Sequence, residues 1–222
     1  MARLYKLTDE RHQTYGQTQW GPGVTHEGTG QGGLCGPGWI HAYEDPLLAL
    51  FLNPIHAGFT RPVLWEAEGE IDRRDHGLKV GCKKLTTLRI IPLPEISIEQ
   101  WVRFAILCAR RVETNPTWRA WADAWLDGSD RTAAAAEVVA AAAAAAAEAV
   151  EGTEAAAAAV AGAVAAEAAA AAGAGAVAEA AAVQAAEAAA AAVEAAAVQA
   201  AEAAEAGADI DLIARAREAV NG

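Results

Sequence analysis

From position 133 to 206 the chain is alanine, interrupted only by Glu, Val, Gly, two Gln and one Thr. Alanine has the highest helix propensity because it gives up no side-chain entropy on entering a helix. The run is several times longer than the ~12–15 residues an isolated helix needs. It holds no His, Cys, Asp, Ser, Lys or Arg, so it lacks nearly all the side chains that catalysis draws on. Any chemistry belongs to the first 131 residues, and the alanine-rich region is scaffold, spacer or assembly surface.

The glutamates support a helix. At about 100° per residue, Glu137, Glu148 and Glu151 fall within about 60° of one another, and Glu187, Glu194, Glu202 and Glu205 within about 80°. Breaks are expected at Gly152-Thr153, at Gly173-Ala174-Gly175 and at Gly207-Ala208-Asp209. These give helices near 133–151, 154–172, 176–206 and 210–220, the last amphipathic through Ile210, Leu212, Ile213 and Val220. Two arrangements compete. Antiparallel hairpins use the close backbone approach that small residues permit. The alternative is a nearly continuous rod of roughly 110 Å. Alanine buries little area, which weakens the drive to fold back. A lone rod, however, leaves a wide apolar flank in water, which favours hairpins. The unit Val183 to Ala189 recurs at Val198 to Ala204, and the spacing returns it to within about 60° of the same face.

Composition divides the chain into a head at 1–131, the alanine-rich helical region at 132–206 and a short C-terminal amphipathic helix at 207–222. The head holds all seven Trp, with 15 Lys/Arg against 16 Asp/Glu. The remainder has 2 against 13, so the net charge of −12 belongs almost wholly to it. A basic footprint for nucleic acid or for an anionic membrane surface is therefore lacking. Glutamates interrupt the alanine run too often for a membrane span, and neither basic flanks nor a Trp/Tyr belt accompany it. The start, Met-Ala-Arg-Leu-Tyr-Lys, has no apolar signal-peptide core. Three cysteines, Cys35, Cys82 and Cys108, are an odd number and point to free thiols in a reducing compartment.

Within the head, alternation predicts strands at 3–7, 14–20, 39–43, 63–71, 78–82 and 85–91. The Gly- and Pro-rich stretch 21–38 reads as loop. Pro46 opens a short helix over 47–52, which Asn53-Pro54 ends. Helices follow at 98–112 and 116–126, the second with Trp118, Trp121 and Trp125 on one face, read as core. Strands first and helices later give an α+β fold, a small mixed head followed by alanine-rich α-helix.

The stretches LCGPGWIHAYEDPLLALFLNP, LWEAEGEI and LKVGCKKLT resemble a domain of unknown function found in phage and prophage proteins. The residues that carry the likeness are Leu34, Cys35, Gly38, His41, Asp45, Pro46, Leu47, Glu66 to Gly69 and Lys79. It spans roughly Leu4 to Ile91 and implies no established activity. A weaker likeness, to the ADP-ribosyltransferase fold, lies in the strand–helix order of Trp39 to Leu52; no clear catalytic Arg, His or Glu stands where that chemistry needs one.

Cys35, His41, Glu66 and Glu68 are the candidate cofactor- or ligand-binding residues. Cys35 with His41 suggests a thiol nucleophile. The same two with Cys82 and Cys108 suggest zinc, although no close Cys pair supports a metal site. Glu66, Glu68 and Glu70 form a carboxylate row on one strand face, read as solvated. No catalytic residue, metal or cofactor is assigned. The expectation is a non-enzymatic phage-type structural or interaction protein, cytoplasmic in a host cell or virion-associated. Its partner would be another protein, or its own kind through the alanine-rich helices, with neither nucleic acid nor membrane. The alternative is a small-molecule-binding or ADP-ribosyltransferase-like head.

Overall fold

The computed structural model describes residues 1–111, 113–132, 134–136 and 211–222. The helices expected between 137 and 206, and the choice between hairpins and rod, lie outside the described residues. The described residues are α+β and fall into two compact units, Met1–Glu95 and Ile96–Gly222. The expected head at 1–131 thus takes in the first unit and two helices of the second.

The first unit is built on antiparallel pairing. One sheet has the order β1–β6–β9–β4, from β1 (Ala2–Thr8), β6 (Val63–Gly69), β9 (Lys84–Ile91) and β4 (Thr25–Glu27). A second has the order β5–β8–β7, from β5 (Ile40–Ala42), β8 (Lys79–Cys82) and β7 (Arg73–Asp75). A bridge between Tyr5 and Tyr43 joins them, each backbone N–H donating to the other's carbonyl at 2.8 Å. Period-2 alternation then sets the core. Leu4, Ala67 and Leu85 from the first sheet meet Ala42, Val80 and Cys82 from the second, with Trp20 beside them. On β1, Lys6 alternates with Tyr5 and Leu7 and so takes the same face as Leu4. Glu66 is the register partner of Tyr5 and takes the opposite face.

Several local expectations are corrected. The strand expected at 14–20 is a small hairpin, β2 (Gln13–Thr14) and β3 (Thr18–Gln19), around a 3-10 turn at Tyr15–Gln17. The loop 21–38 contains β4, whose partner is Lys84–Thr86, 57 or more residues away and invisible to local pattern. Asn53-Pro54 does not end helical structure. Pro46 and Pro54 each sit at the start of a helix, α1 (Pro46–Phe51) and α2 (Asn53–His56), where a missing N–H costs nothing. The Asp45 carboxylate caps α1 by accepting from the Leu47 N–H at 2.9 Å. β7 was not foreseen. It returns into β8 through His76-Gly77, both at positive φ (45° and 80°), conformations that Gly, and His among non-Gly residues, tolerate.

The second unit holds α3 (Ile98–Ala109), α4 (Pro116–Asp127) and α5 (Leu212–Asn221). Ser97 and Gln100 form a reciprocal capping box on α3, and Asn115 caps α4. Trp118, Trp121 and Trp125 are buried, as the stripe predicts, with the first two edge to face at 5.8 Å. Arg110, the C-cap of α3, pairs with Asp123 on α4 at 2.6 Å. Gln100 donates to the Val220 carbonyl at 3.0 Å, tying α5 to α3. α5 is capped by Asp211, whose carboxylate accepts from the Ala214 N–H at 2.9 Å.

Candidate functional site

The sequence candidates divide between two places. His41 lies on β5 opposite Gly81 of β8. Because Gly81 has no side chain, the Leu34 and Trp39 side chains occupy that space; a Cβ there would lie 2.3 Å from Leu34 Cδ1. This lets the glycine-rich loop fold over β8. The loop is fastened by Trp39 Nε1 donating to the Gly32 carbonyl at 3.1 Å and by Gly30 N–H donating to the Gly38 carbonyl at 2.8 Å. The His41 ring hydrogen-bonds the Leu34 carbonyl. Cys35, next in sequence, is exposed, and its Sγ accepts from Lys79 Nζ at 3.3 Å. Asp75 Oδ2 lies 3.4 Å from the same nitrogen, across the β7–β8 pair. Thus Cys35 meets Lys79, while the hydrogen bond of His41 Nε2 goes to the Leu34 carbonyl.

Two further rings face this corner. Tyr43 Oη and His56 Nδ1 are 3.4 Å apart, with the rings stacked at 6.2 Å. His56 Nε2 is buried and has no hydrogen-bond partner among the described residues. Burial, then the Lys79 charge, brings the His56 pKa down to about 4. Burial also lowers that of His41, partly offset by its bond to Leu34. Burial raises the Tyr43 hydroxyl well above its ordinary range. At neutral pH both imidazoles are therefore uncharged, and Lys79 and Asp75 supply the local charge.

Below the corner, the ammonium of Lys6, 8% exposed, donates to the His41 carbonyl at 2.7 Å and lies 5.2 Å from the Trp20 ring centre. Burial brings its pKa from 10.5 down to about 8. Burial likewise pushes the Cys82 thiol up to about 11 and the Cys108 thiol higher still. These two are packing residues, and all three cysteines are free thiols.

Glu66 and Glu68 are not part of this corner. They lie on the opposite face of the first sheet from Lys6. The Glu66 carboxylate is held between Arg3 at 2.7 Å and Arg89 at 2.6 Å. The row expected to be solvated is, at Glu66, an ion-pair network. Among the described residues no group of three His, Cys, Asp or Glu side chains is placed to hold a metal ion. No described helix is long and apolar enough to cross a membrane.

A different feature appears on β9. β4 pairs only with Lys84–Thr86, so the half from Leu88 to Ile91 has β6 as its sole described strand partner. Leu88 is the extra residue of a bulge opposite Glu66/Ala67. Leu88, Ile90 and Leu93 are 40%, 51% and 42% exposed. A half-paired apolar strand edge is what proteins ordinarily cover or charge.

Comparison of the chain with protein-family models, with curated proteins and with solved structures gives no match.

Sequence reading named Cys35 and His41 but missed Asp75, His56, Tyr43 and Lys6 as their neighbours. One signal was available: His76-Gly77 between Arg73-Arg74-Asp75 and Leu78-Lys79-Val80 is a hairpin turn, and it sets Asp75 opposite Lys79.

Proposed function

We propose that this chain is a non-enzymatic, phage-type structural or interaction protein. The head recognises a partner chain, taken here as a second copy of this protein, and the alanine-rich region serves as spacer or further assembly surface. The observation that carries the reading is the half-paired β9 edge, with Leu88 and Ile90 exposed on it and Leu93 exposed just beyond its end. Such an edge accepts an added strand through backbone hydrogen bonds, and its apolar side chains give the contact area. The acidic, alanine-rich composition of 133–206 fits a spacer or a close-packed assembly surface better than a reactive one. Sedimentation of the full chain against a Leu88→Lys/Ile90→Lys variant tests it. Association that the variant loses supports the reading; identical sedimentation of the two chains overturns it.

The corner formed by Cys35, His41, His56 and Lys79 favours a second reading, small-molecule binding by the head. Its transferase form has less support, because the Glu66 carboxylate is occupied by two arginines. Incubation with labelled nicotinamide dinucleotide separates the two. Bound or transferred label supports the second reading, and none removes its transferase form.

A further inference from the structure

We propose that Cys35 and Lys79 are joined on oxidation by a direct sulfur–nitrogen bond, a reversible staple that fastens the glycine-rich loop to β8. The two residues are 44 positions apart, and the Lys79 nitrogen lies 3.3 Å from the Cys35 sulfur. Neither partner has to be recruited. Cys35 is the exposed thiol, whereas Cys82 and Cys108 are fully buried, so an oxidant in solution reaches Cys35 first. The Lys79 side chain is only 10% exposed and is held by Asp75 at 3.4 Å, so its nitrogen stays at the sulfur rather than in solvent. The loop that carries the thiol is itself fixed through Leu34, Trp39 and Gly38.

The oxidant is hydrogen peroxide. The Cys35 sulfur attacks one peroxide oxygen, the O–O bond breaks, and a sulfenic acid and one water result. Lys79, its proton passed to the Asp75 carboxylate and on to solvent, then attacks the sulfur with its nitrogen lone pair. The S–N bond forms, the S–O bond breaks, and the hydroxyl leaves as a second water with a proton from the nitrogen. One thiol, one amine and one peroxide become one sulfenamide and two waters. The sulfur gives up two electrons and the peroxide takes them. Sulfenic acids condense with a backbone nitrogen to a sulfenamide in this way, and here the Lys79 amine is the nitrogen held at the sulfur. A thiol reductant reverses the step.

The test is mass spectrometry of the full chain treated with a small excess of hydrogen peroxide, with chymotryptic peptide mapping. The expected product has lost two hydrogens, about 2 Da, and yields a linked peptide pair containing Cys35 and Lys79. Dithiothreitol restores the original mass. Lys79→Arg keeps the charge but not the nucleophilic amine, and is expected to accumulate oxygenated Cys35, heavier by about 16 or 32 Da, in its place. Three results overturn the proposal. One is oxygenation of Cys35 in the unmodified chain at the rate seen in Lys79→Arg, with no linked pair. Another is a two-hydrogen loss that persists in Lys79→Arg, which would be a disulfide. The third is a linked pair heavier by about 14 Da, which would place an oxygen between sulfur and nitrogen. If Lys79→Arg fails to fold, the peptide map of the unmodified chain decides alone.

Discussion

Replacing Lys6 by methionine should stabilise the first unit at neutral pH and destabilise it in alkali. Lys6 is 8% exposed and has its ammonium among Trp20, the His41 carbonyl and the core, with no carboxylate paired to it among the described residues. Its pKa falls from 10.5 to about 8. At 1.36 kcal/mol per unit, that gap means the folded state disfavours the ammonium by about 3 kcal/mol below pH 8. Methionine keeps a straight apolar chain in the same space. It also removes the donor to His41, leaving a buried carbonyl short of a partner at a cost of about 1–2 kcal/mol. The net expectation at pH 7 is a gain of about 1–2 kcal/mol. Because the folded-state pKa is depressed, the unfolded chain holds more protons between about pH 8 and 10.5, so stability attributable to Lys6 rises with pH across that window. Above it the amine is neutral in both states, and the variant shows only the lost bond, a deficit of about 1 kcal/mol. Urea unfolding at several pH values between 7 and 10.5, read from amide cross-peaks of β1 and β6, measures this. Cys82 does not cancel in the subtraction of the two chains, because its thiolate is coupled to the Lys6 ammonium, so the slope is read below about pH 9, where that thiol is still protonated. Stability curves that run parallel across the window, or a variant less stable at pH 7 by more than about 1 kcal/mol, would refute the reasoning.

His56 should titrate near pH 4, against about 6.5 for an unperturbed imidazole, in a proton NMR titration. Its contribution to stability is complete above about pH 6.5 and is lost as pH falls towards 4, on the order of 2 kcal/mol after allowing for partial exposure. Trp65→Phe should cost about 2 kcal/mol in urea unfolding. The fully buried indole loses its bond to Thr8 Oγ1 at 3.1 Å and its edge contact with His12 at 5.3 Å, although Thr8 keeps its own bond to the Asp9 carbonyl. Ser97→Ala should cost about 1 kcal/mol, since it removes one arm of the α3 capping box, and faster amide exchange in the first turn of α3 would show it.

What was legible in the sequence was whatever depends on local period. β6 and β9 alternate strongly enough to be placed within two residues, and the Trp118/Trp121/Trp125 stripe gives both α4 and its buried face. What was not legible depends on partners far along the chain. β4 exists because Thr25–Glu27 meets β9, not because its residues favour strand. Glu66 reads as a solvated carboxylate until Arg3 and Arg89 arrive from two neighbouring strands. The site was half legible for the same reason. Cys35 and His41 are close in sequence, but Lys79 and Asp75 reach them only through sheet pairing and the turn at His76-Gly77, and His56 only through α2. The exposed edge of β9 follows from where β4 stops, which no feature of Leu88 to Ile91 announces.

The most direct test of the account is sedimentation velocity on the full chain and on its Leu88→Lys/Ile90→Lys variant over a wide concentration range, with circular dichroism to show that both fold alike. The account predicts that the unmodified chain associates as concentration rises and that two charges on the half-paired edge return it to a single species. Indistinguishable sedimentation of the two folded chains would contradict it and shift attention to the Cys35–Lys79 corner.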